Sequence, residues 1–226
     1  MIYQYSIKIN KFLSSNQIEK LMTIVSEKRC LKANRFIHQK DRERCLLAEA
    51  LVRYALIKDY GMKEEKILFN HSKHGKPFLM ESNLHFNISH SGKWIVCAIG
   101  DSQLGVDVEL IRLLEYEDIY KSFSSTERMH LDTLPPQDKQ TSFFKLWTLK
   151  ESFVKFIGTG LKCPFDSFSI DINSLELLKE KQQDTNLSFF SKKLDAEHWY
   201  ALCCESDIVS KKIKQIDLDE ILSFWQ

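Results

Sequence analysis

The chain has 226 residues, 43% of them hydrophobic and 28% charged, the composition of a globular protein with chain enough for one large domain or two small ones. Disorder, a collagen repeat and a coiled coil are excluded. The longest apolar run, Trp94 to Ile99, cannot span a bilayer. The opening residues MIYQYSIKIN hold no apolar secretory segment, and the six cysteines show neither a CxxC pair nor metal-ligand spacing. A cytoplasmic protein with reduced thiols and no membrane contact is therefore expected.

The net charge of +1 hides a division. Residues 1–101 carry 17 Lys+Arg against 10 Asp+Glu, whereas residues 102–226 carry 15 against 21. A basic half suits a polyanion and an acidic half can hold a cation, although mutual attraction of the halves explains the split equally well. The near-neutral total argues against a nucleic-acid partner.

In chain order, Tyr3, Tyr5, Ile7 and Ile9 alternate with Gln4, Ser6 and Lys8, which predicts a half-buried strand. Ser14 and Gln17 form a capping box ahead of Ile18, Leu21, Met22 and Val25 at helical spacing. A longer helix is expected over 39–60, with the stripe Leu47, Ala50, Leu51, Tyr54 and Ile57 and a stop at Gly61. His74-Gly75-Lys76-Pro77 reads as a turn, flanked by strands near 66–69, 84–89 and 94–100. Residues 104–110 alternate, with Leu104, Val106, Val108 and Leu110 opposite Asp107 and Glu109. Ser124 and Glu127 make a second capping box, and a long helix follows from about 137 to 157, ended by Gly158 and Gly160. Strands are expected at 165–172, 187–192 and 198–205, a solvated loop at 179–186 and a short helix at 219–225. Each half thus holds one long helix and several strands, with a boundary near residues 101–103. The expectation is α/β (α+β): residues 1–102 as a basic half and 103–226 as an acidic half.

Four groups of residues can carry chemistry. Asp107 and Glu109 project from one strand face, where two carboxylates repel unless a cation or proton intervenes; a solvent-facing strand side accounts for them more simply. Glu151 and Lys155 stand at i and i+4 on a helix, one turn beyond Trp147, a spacing that also suits an ordinary surface pair. In FNISHSG (86–92), Ser89, Ser91 and His90 can hold phosphate oxygens, or simply close a strand end. The basic stretch 28–44, with Arg29 and Lys32, can meet a terminal phosphate or be a solvated helix face. Together they offer three carboxylates for a cation and several donors for a polyanion, the equipment for a phosphate ester activated by a divalent metal.

LGVDVE (104–109) followed by WTLKESFVK (147–155), with FNISHSG before them, resembles the paired signature of the 4′-phosphopantetheinyl transferases, in the larger surfactin-synthetase-activating branch. The resemblance implies a monomeric pseudo-dimer of two similar halves. Each would be a long helix on a small, mostly antiparallel sheet, with the site in the cleft between them. It implies transfer of the 4′-phosphopantetheine arm of coenzyme A to a serine of an apo acyl, peptidyl or aryl carrier protein, with Mg²⁺ as cofactor and adenosine 3′,5′-bisphosphate as product. Fatty-acid, polyketide and nonribosomal-peptide carriers all stay open. By the same resemblance, Asp107, Glu109 and Glu151 match the metal-binding acids, and Glu151, Lys155 and His90 the catalytic set. Ser89, His90 and Lys155 match phosphate contacts, Gly75, Lys76 and Pro77 the adenine turn, and Arg29 and Lys32 the 3′-phosphate contacts. Position 29 is Arg where Lys is frequent, and His74 stands where an aromatic residue is frequent. The segment Ile111 to Ser124, with Leu113, Leu114, Tyr116 and Phe123, is a candidate carrier-docking surface or an inter-half core. Two rival readings are a metal-dependent nucleotide hydrolase or nuclease, and a non-catalytic module that binds coenzyme A or a carrier.

Overall fold

The computed structural model describes residues 1–112, 117–178, 187–205 and 209–225. The chain opens with β1 (Ile2–Lys8) and three helices, α1 (Ser15–Ile24), α2 (Glu27–Ala33) and α3 (Gln39–Tyr60). A hairpin of β2 (Phe69–His71) and β3 (Pro77–Leu79) precedes β4 (His85–Ser91), β5 (Trp94–Gly100) and β6 (Leu104–Leu110). Then come α4 (Glu117–Lys121), α5 (Ser125–Thr133) and α6 (Pro136–Ile157), followed by β7 (Ser169–Asp171) and β8 (Glu176–Leu178). β9 (Ser188–Asp195), β10 (His198–Cys204), β11 (Val209–Gln215) and α7 (Leu218–Phe224) complete it.

Two sheets organise these elements, one in the order β11-β1-β5-β4 and one in the order β6-β10-β9. Pairing is antiparallel except between β1 and β11, which run parallel. α3 packs on the first sheet and α6 on the second. Between the sheets lies a third core of Ile2, Trp94, Val96 and Ala98 against Val106, Val108, Tyr200 and Leu202. The layers are therefore helix, sheet, sheet, helix, and the expected pair of helix-on-sheet halves is present. Residues 209–225 return to the first half: β11 pairs with β1, and α7 packs on α1 and α3. Among the described residues no helix is long and apolar enough to cross a membrane.

Local chemistry sets the helix ends. Ser14 with Gln17 and Ser124 with Glu127 form the two capping boxes. Gly61 and Gly158 close α3 and α6 in the left-handed conformation, at φ 62° and 71°. Other expectations need correction. β1 is buried on both faces, including Gln4 and Ser6, because it lies inside its sheet with α3 on one side and the second sheet on the other. α3 is buried well beyond one stripe, since sheet, α1, α2 and α7 surround it. The basic stretch is not one helical face: α2 ends at Ala33, and a connection leads into α3. Residues 165–167 form a 3₁₀ turn, so only 169–171 are strand. Phe123 fills the aromatic core beneath α6 rather than offering a docking anchor. Leu113, Leu114, Tyr116 and the loop 179–186 lie outside the described residues.

Candidate active site

The site begins with a glycine. Gly105, Asp107 and Glu109 share the face of β6 turned to α6, opposite the face that fills the inter-sheet core. A Cβ at Gly105 would collide with backbone atoms of Phe156 and Ser152, so only glycine lets α6 lie this close to β6. That approach brings Lys155 of α6 over Asp107. Asp107 is 2% exposed, which rules out a solvent-facing strand side.

The edges of the two sheets, β4 and β6, meet here, and side chains stitch the seam. Asn87 Oδ1 accepts from the N–H of Val106 at 2.9 Å, and Ser91 Oγ accepts from the N–H of Leu110 at 3.1 Å. Ser89 donates to Asp107 Oδ1 at 2.8 Å, and Ser91 donates to Glu109 Oε2 at 2.9 Å. Lys155 Nζ lies 2.6 Å from Asp107 Oδ1 and 2.9 Å from Ser89 Oγ. The second oxygen of Asp107, Oδ2, is buried with no hydrogen-bond partner. A buried carboxylate oxygen left bare is costly and fits a site made to receive a cation or a proton.

Electrostatics agree. Burial, only partly opposed by Lys155 and Ser89, raises the Asp107 pKa, and burial together with Asp107 raises that of Glu109. Glu151 is pushed up to about 7 by burial and by the nearby Asp107, with Lys155 pulling the other way. Burial and mutual repulsion make ionisation of these carboxylates costly, a condition a divalent cation relieves, although among the described residues the ligand oxygens of all three are not drawn within 4.8 Å of one another.

A cavity of about 700 Å³ opens beside this cluster, lined by Gly75, Pro77, Asn87, Trp147, Glu151 and Lys155, among others. A second, of about 610 Å³, is lined by Lys28, Arg29, Lys32, Arg35 and His71. Pro77 and Ile88 line both, so the two form a continuous trough leading from the acids to a basic end. Arg29 Nε lies 2.9 Å from Glu49 Oε2, and Glu49 also receives Arg53 and the N–H of Ser26. His90 faces away from Ser89 on the strand. Its ring lies in a crowded recess that, with the cations Arg44 and Lys155, lowers its pKa, yet it keeps access to solvent. Lys76 lines the cavity, but its ammonium is taken by the carbonyls of Leu104 and Phe156, at 2.9 and 3.1 Å.

Gly105 lies inside the LGVDVE segment, where a glycine two residues before paired acids is a signal for close approach. Glu127 does not reach the acids. It pairs with the fully buried Lys150 at 2.7 Å and accepts from the N–H of Ile170 at 2.9 Å, besides capping α5. Among the described residues, the carboxylate–histidine group whose ligand atoms all lie within 4.8 Å of one another is Asp195, Glu197 and His198. Lys8, Lys93 and the indole N–H of Trp94 already engage its carboxylates; Asp107 is likewise met by Lys155 at Oδ1 but keeps Oδ2 without a partner.

Buried acids facing a lysine, at one end of a trough whose other end is basic, suit an enzyme that acts on a phosphate ester. Comparison with known proteins specifies which. Residues 13–102 match the family model described as 4′-phosphopantetheinyl transferase, N-terminal, and residues 103–204 match that of the 4′-phosphopantetheinyl transferase superfamily. A 4′-phosphopantetheinyl transferase of Bacillus subtilis is 34% identical over 88% of this chain and 89% of its own length. The 4′-phosphopantetheinyl transferase Sfp of Bacillus subtilis strain 168 is 31% identical over 96% of this chain and 99% of its own. The 4′-phosphopantetheinyl transferase gsp of Aneurinibacillus migulanus is 32% identical over 100% and 95%. The chain belongs to the 4′-phosphopantetheinyl transferase superfamily, enzymes that move the 4′-phosphopantetheine arm of coenzyme A onto carrier proteins.

Proposed function

We propose that the cluster around Asp107 performs this transfer, with Asp107, Glu109 and Glu151 holding a divalent cation, Mg²⁺ by preference for hard oxygen donors. The observation that carries the reading is the bare, buried Asp107 Oδ2 beside an Oδ1 already held by Lys155 and Ser89. Bound there, the cation would neutralise pyrophosphate charge and act as a Lewis acid.

The chain's own residues do the rest. The trough orients coenzyme A: the turn Gly75-Lys76-Pro77 wraps the adenine through its backbone, and Arg29 and Lys32 meet the 3′-phosphate at its basic end. Ser89, its hydroxyl shared between Asp107 and Lys155, holds those two groups at the reacting end, and the solvent-accessible His90 contacts the diphosphate from the other face of β4. The carrier serine Oγ attacks the pantetheine-bearing phosphorus. A new O–P bond forms as the bond to the bridging oxygen breaks, and adenosine 3′,5′-bisphosphate leaves. Glu151, directly or through a water, accepts the serine proton. Lys155 turns from Asp107 to the departing bisphosphate and stabilises its charge.

Residues 1–102 then form the coenzyme A side, backed by the returning β11 and α7, and the part of 103–226 before β11 the acid side, in a cytoplasmic protein that acts as a monomer on apo acyl, peptidyl or aryl carriers. The test is Glu151→Gln: transfer to an apo carrier is abolished while the circular dichroism spectrum and melting temperature keep a folded protein. An active, folded variant contradicts the role of Glu151.

A further inference from the structure

Lys76 is a cation whose charge is spent inside the protein. Its turn is locked by Ser72: the Ser72 carbonyl accepts from the N–H of Gly75 at 2.9 Å, and Ser72 Oγ accepts from the N–H groups of His74 and Lys76 at 3.3 and 3.2 Å. Gly75, at φ 85°, makes the reversal possible. The turn sends the lysine stem inward, under the end of α6. A Cβ at Gly158, the C-cap of α6, would stand 3.3 Å from Lys76 Cδ.

Nζ then donates to two carbonyls from different elements, Leu104 O at 2.9 Å and Phe156 O at 3.1 Å. Leu104 is the first residue of β6, and Phe156 stands in the last turn of α6, where carbonyls have no helical partner. A cation at that end also suits the helix dipole. Gln103 Nε2 adds a second donor to Phe156 O at 2.6 Å. Burial pushes the Lys76 pKa down to about 8, in keeping with a desolvated ammonium. The two anchored residues flank the reacting groups: Leu104 lies three positions before Asp107, and Phe156 directly follows Lys155.

We propose that Lys76 is a positioning residue, a latch from the adenine turn that fixes the end of α6 against the start of β6 and so sets Lys155 and Glu151 over Asp107. This rests on the proposed roles of those three residues. The side chain acts on placement, while ligand contact at this turn is left to the backbone. Displacements of about 1 Å at a reacting group cost on the order of 100-fold in rate, so the latch governs turnover rather than coenzyme A affinity.

Three variants read it: Lys76→Met, Lys76→Arg, and Gln103→Leu, which removes the other donor from a residue outside the cavity lining. Each is measured for coenzyme A affinity by calorimetry, for kcat and KM with an apo carrier, and for amide hydrogen exchange in residues 154–158. Lys76→Met is expected to lower kcat about tenfold or more, keep coenzyme A affinity within about threefold, and speed exchange at the end of α6. Lys76→Arg restores much of the kcat, and Gln103→Leu shows the same pattern more weakly. A loss of coenzyme A affinity with kcat preserved makes Lys76 a ligand and overturns the latch; so does a variant with unchanged kcat and exchange. If Lys76→Met does not fold, Gln103→Leu decides: an unchanged kcat and unchanged exchange overturn the proposal. If the wild type transfers nothing, the proposed function fails, and exchange together with coenzyme A affinity still decides whether the latch exists.

Discussion

The ammonium of Lys155 lies 2.6 Å from Asp107 Oδ1, one turn of helix beyond Glu151. This pair sets two cations in competition, because a divalent ion arriving at Asp107 meets a carboxylate already neutralised by lysine. Lys155→Met is therefore expected to leave Mg²⁺ binding as tight or tighter while transfer falls about 100-fold or more. Calorimetric titration with Mg²⁺ and a rate assay check the two halves. Weakened metal binding with full activity would reverse the assignment.

Glu151 gives a pH signature. Its folded pKa of about 7 stands above the ordinary carboxylate value of 4.5, so the folded state holds this proton more tightly than the unfolded state. The stability this contributes is full below about pH 4.5 and is lost as pH rises through 7, a change of about 3 kcal/mol. Glu151→Gln carries no such charge. In urea titrations without divalent cation, the stability of the variant relative to wild type should rise between pH 5 and 8. A flat difference would show that Glu151 is not held in its acid form. Cation binding near neutral pH should also release protons, seen as a buffer-dependent enthalpy.

Arg29 sits at the basic end of the trough with its Nε on Glu49. Burial works to raise the pKa of Glu49, but the N–H of Ser26 together with Arg29 and Arg53 outweighs it and holds the carboxyl low. Arg29→Ala keeps Arg53 and Ser26 on Glu49, so the fold should survive. Coenzyme A is then expected to bind about tenfold weaker or worse, with its 3′-dephospho form little changed. Equal losses for the two ligands would remove Arg29 from the 3′-phosphate.

Lys150 and Glu127 form an ion pair shut away from water. Lys150→Met strands the Glu127 charge and should cost about 3–5 kcal/mol, whereas Lys150→Met with Glu127→Leu should recover much of it. The double variant should keep measurable transfer, because Glu127 anchors α5 and β7 on α6 and takes no part in proton transfer. Complete loss of transfer in a stable double variant would give Glu127 a chemical role.

Much of this architecture is legible in the sequence where local chemistry decides it. The capping boxes at Ser14 and Ser124 and the glycines at 61 and 158 mark helix ends because side-chain reach and left-handed backbone are local properties. The alternation of 104–110 and the spacing of Glu151 and Lys155 place those groups on single faces. What is hidden depends on partners distant in the chain. VSKKIKQ (209–215) has no strand pattern of its own and becomes β11 by pairing with β1 from the other end of the sequence. β1 reads as half-buried because nothing local announces a second sheet against its polar face. Asp107 and Glu109 read as surface acids until α6 closes over them, and that closure depends on Gly105. Lys76 reads as part of an adenine turn, because the two carbonyls that consume its charge are not visible in a sequence.

The most direct test of the account is the mass of an apo carrier protein incubated with this enzyme, coenzyme A and Mg²⁺. The account predicts that the carrier gains one 4′-phosphopantetheine arm on a serine, that adenosine 3′,5′-bisphosphate appears in equal amount, and that both stop when the divalent cation is removed. Coenzyme A cleaved with no gain on any carrier would make water the acceptor and the protein a hydrolase. Coenzyme A bound and left intact beside unmodified carriers would contradict catalysis altogether.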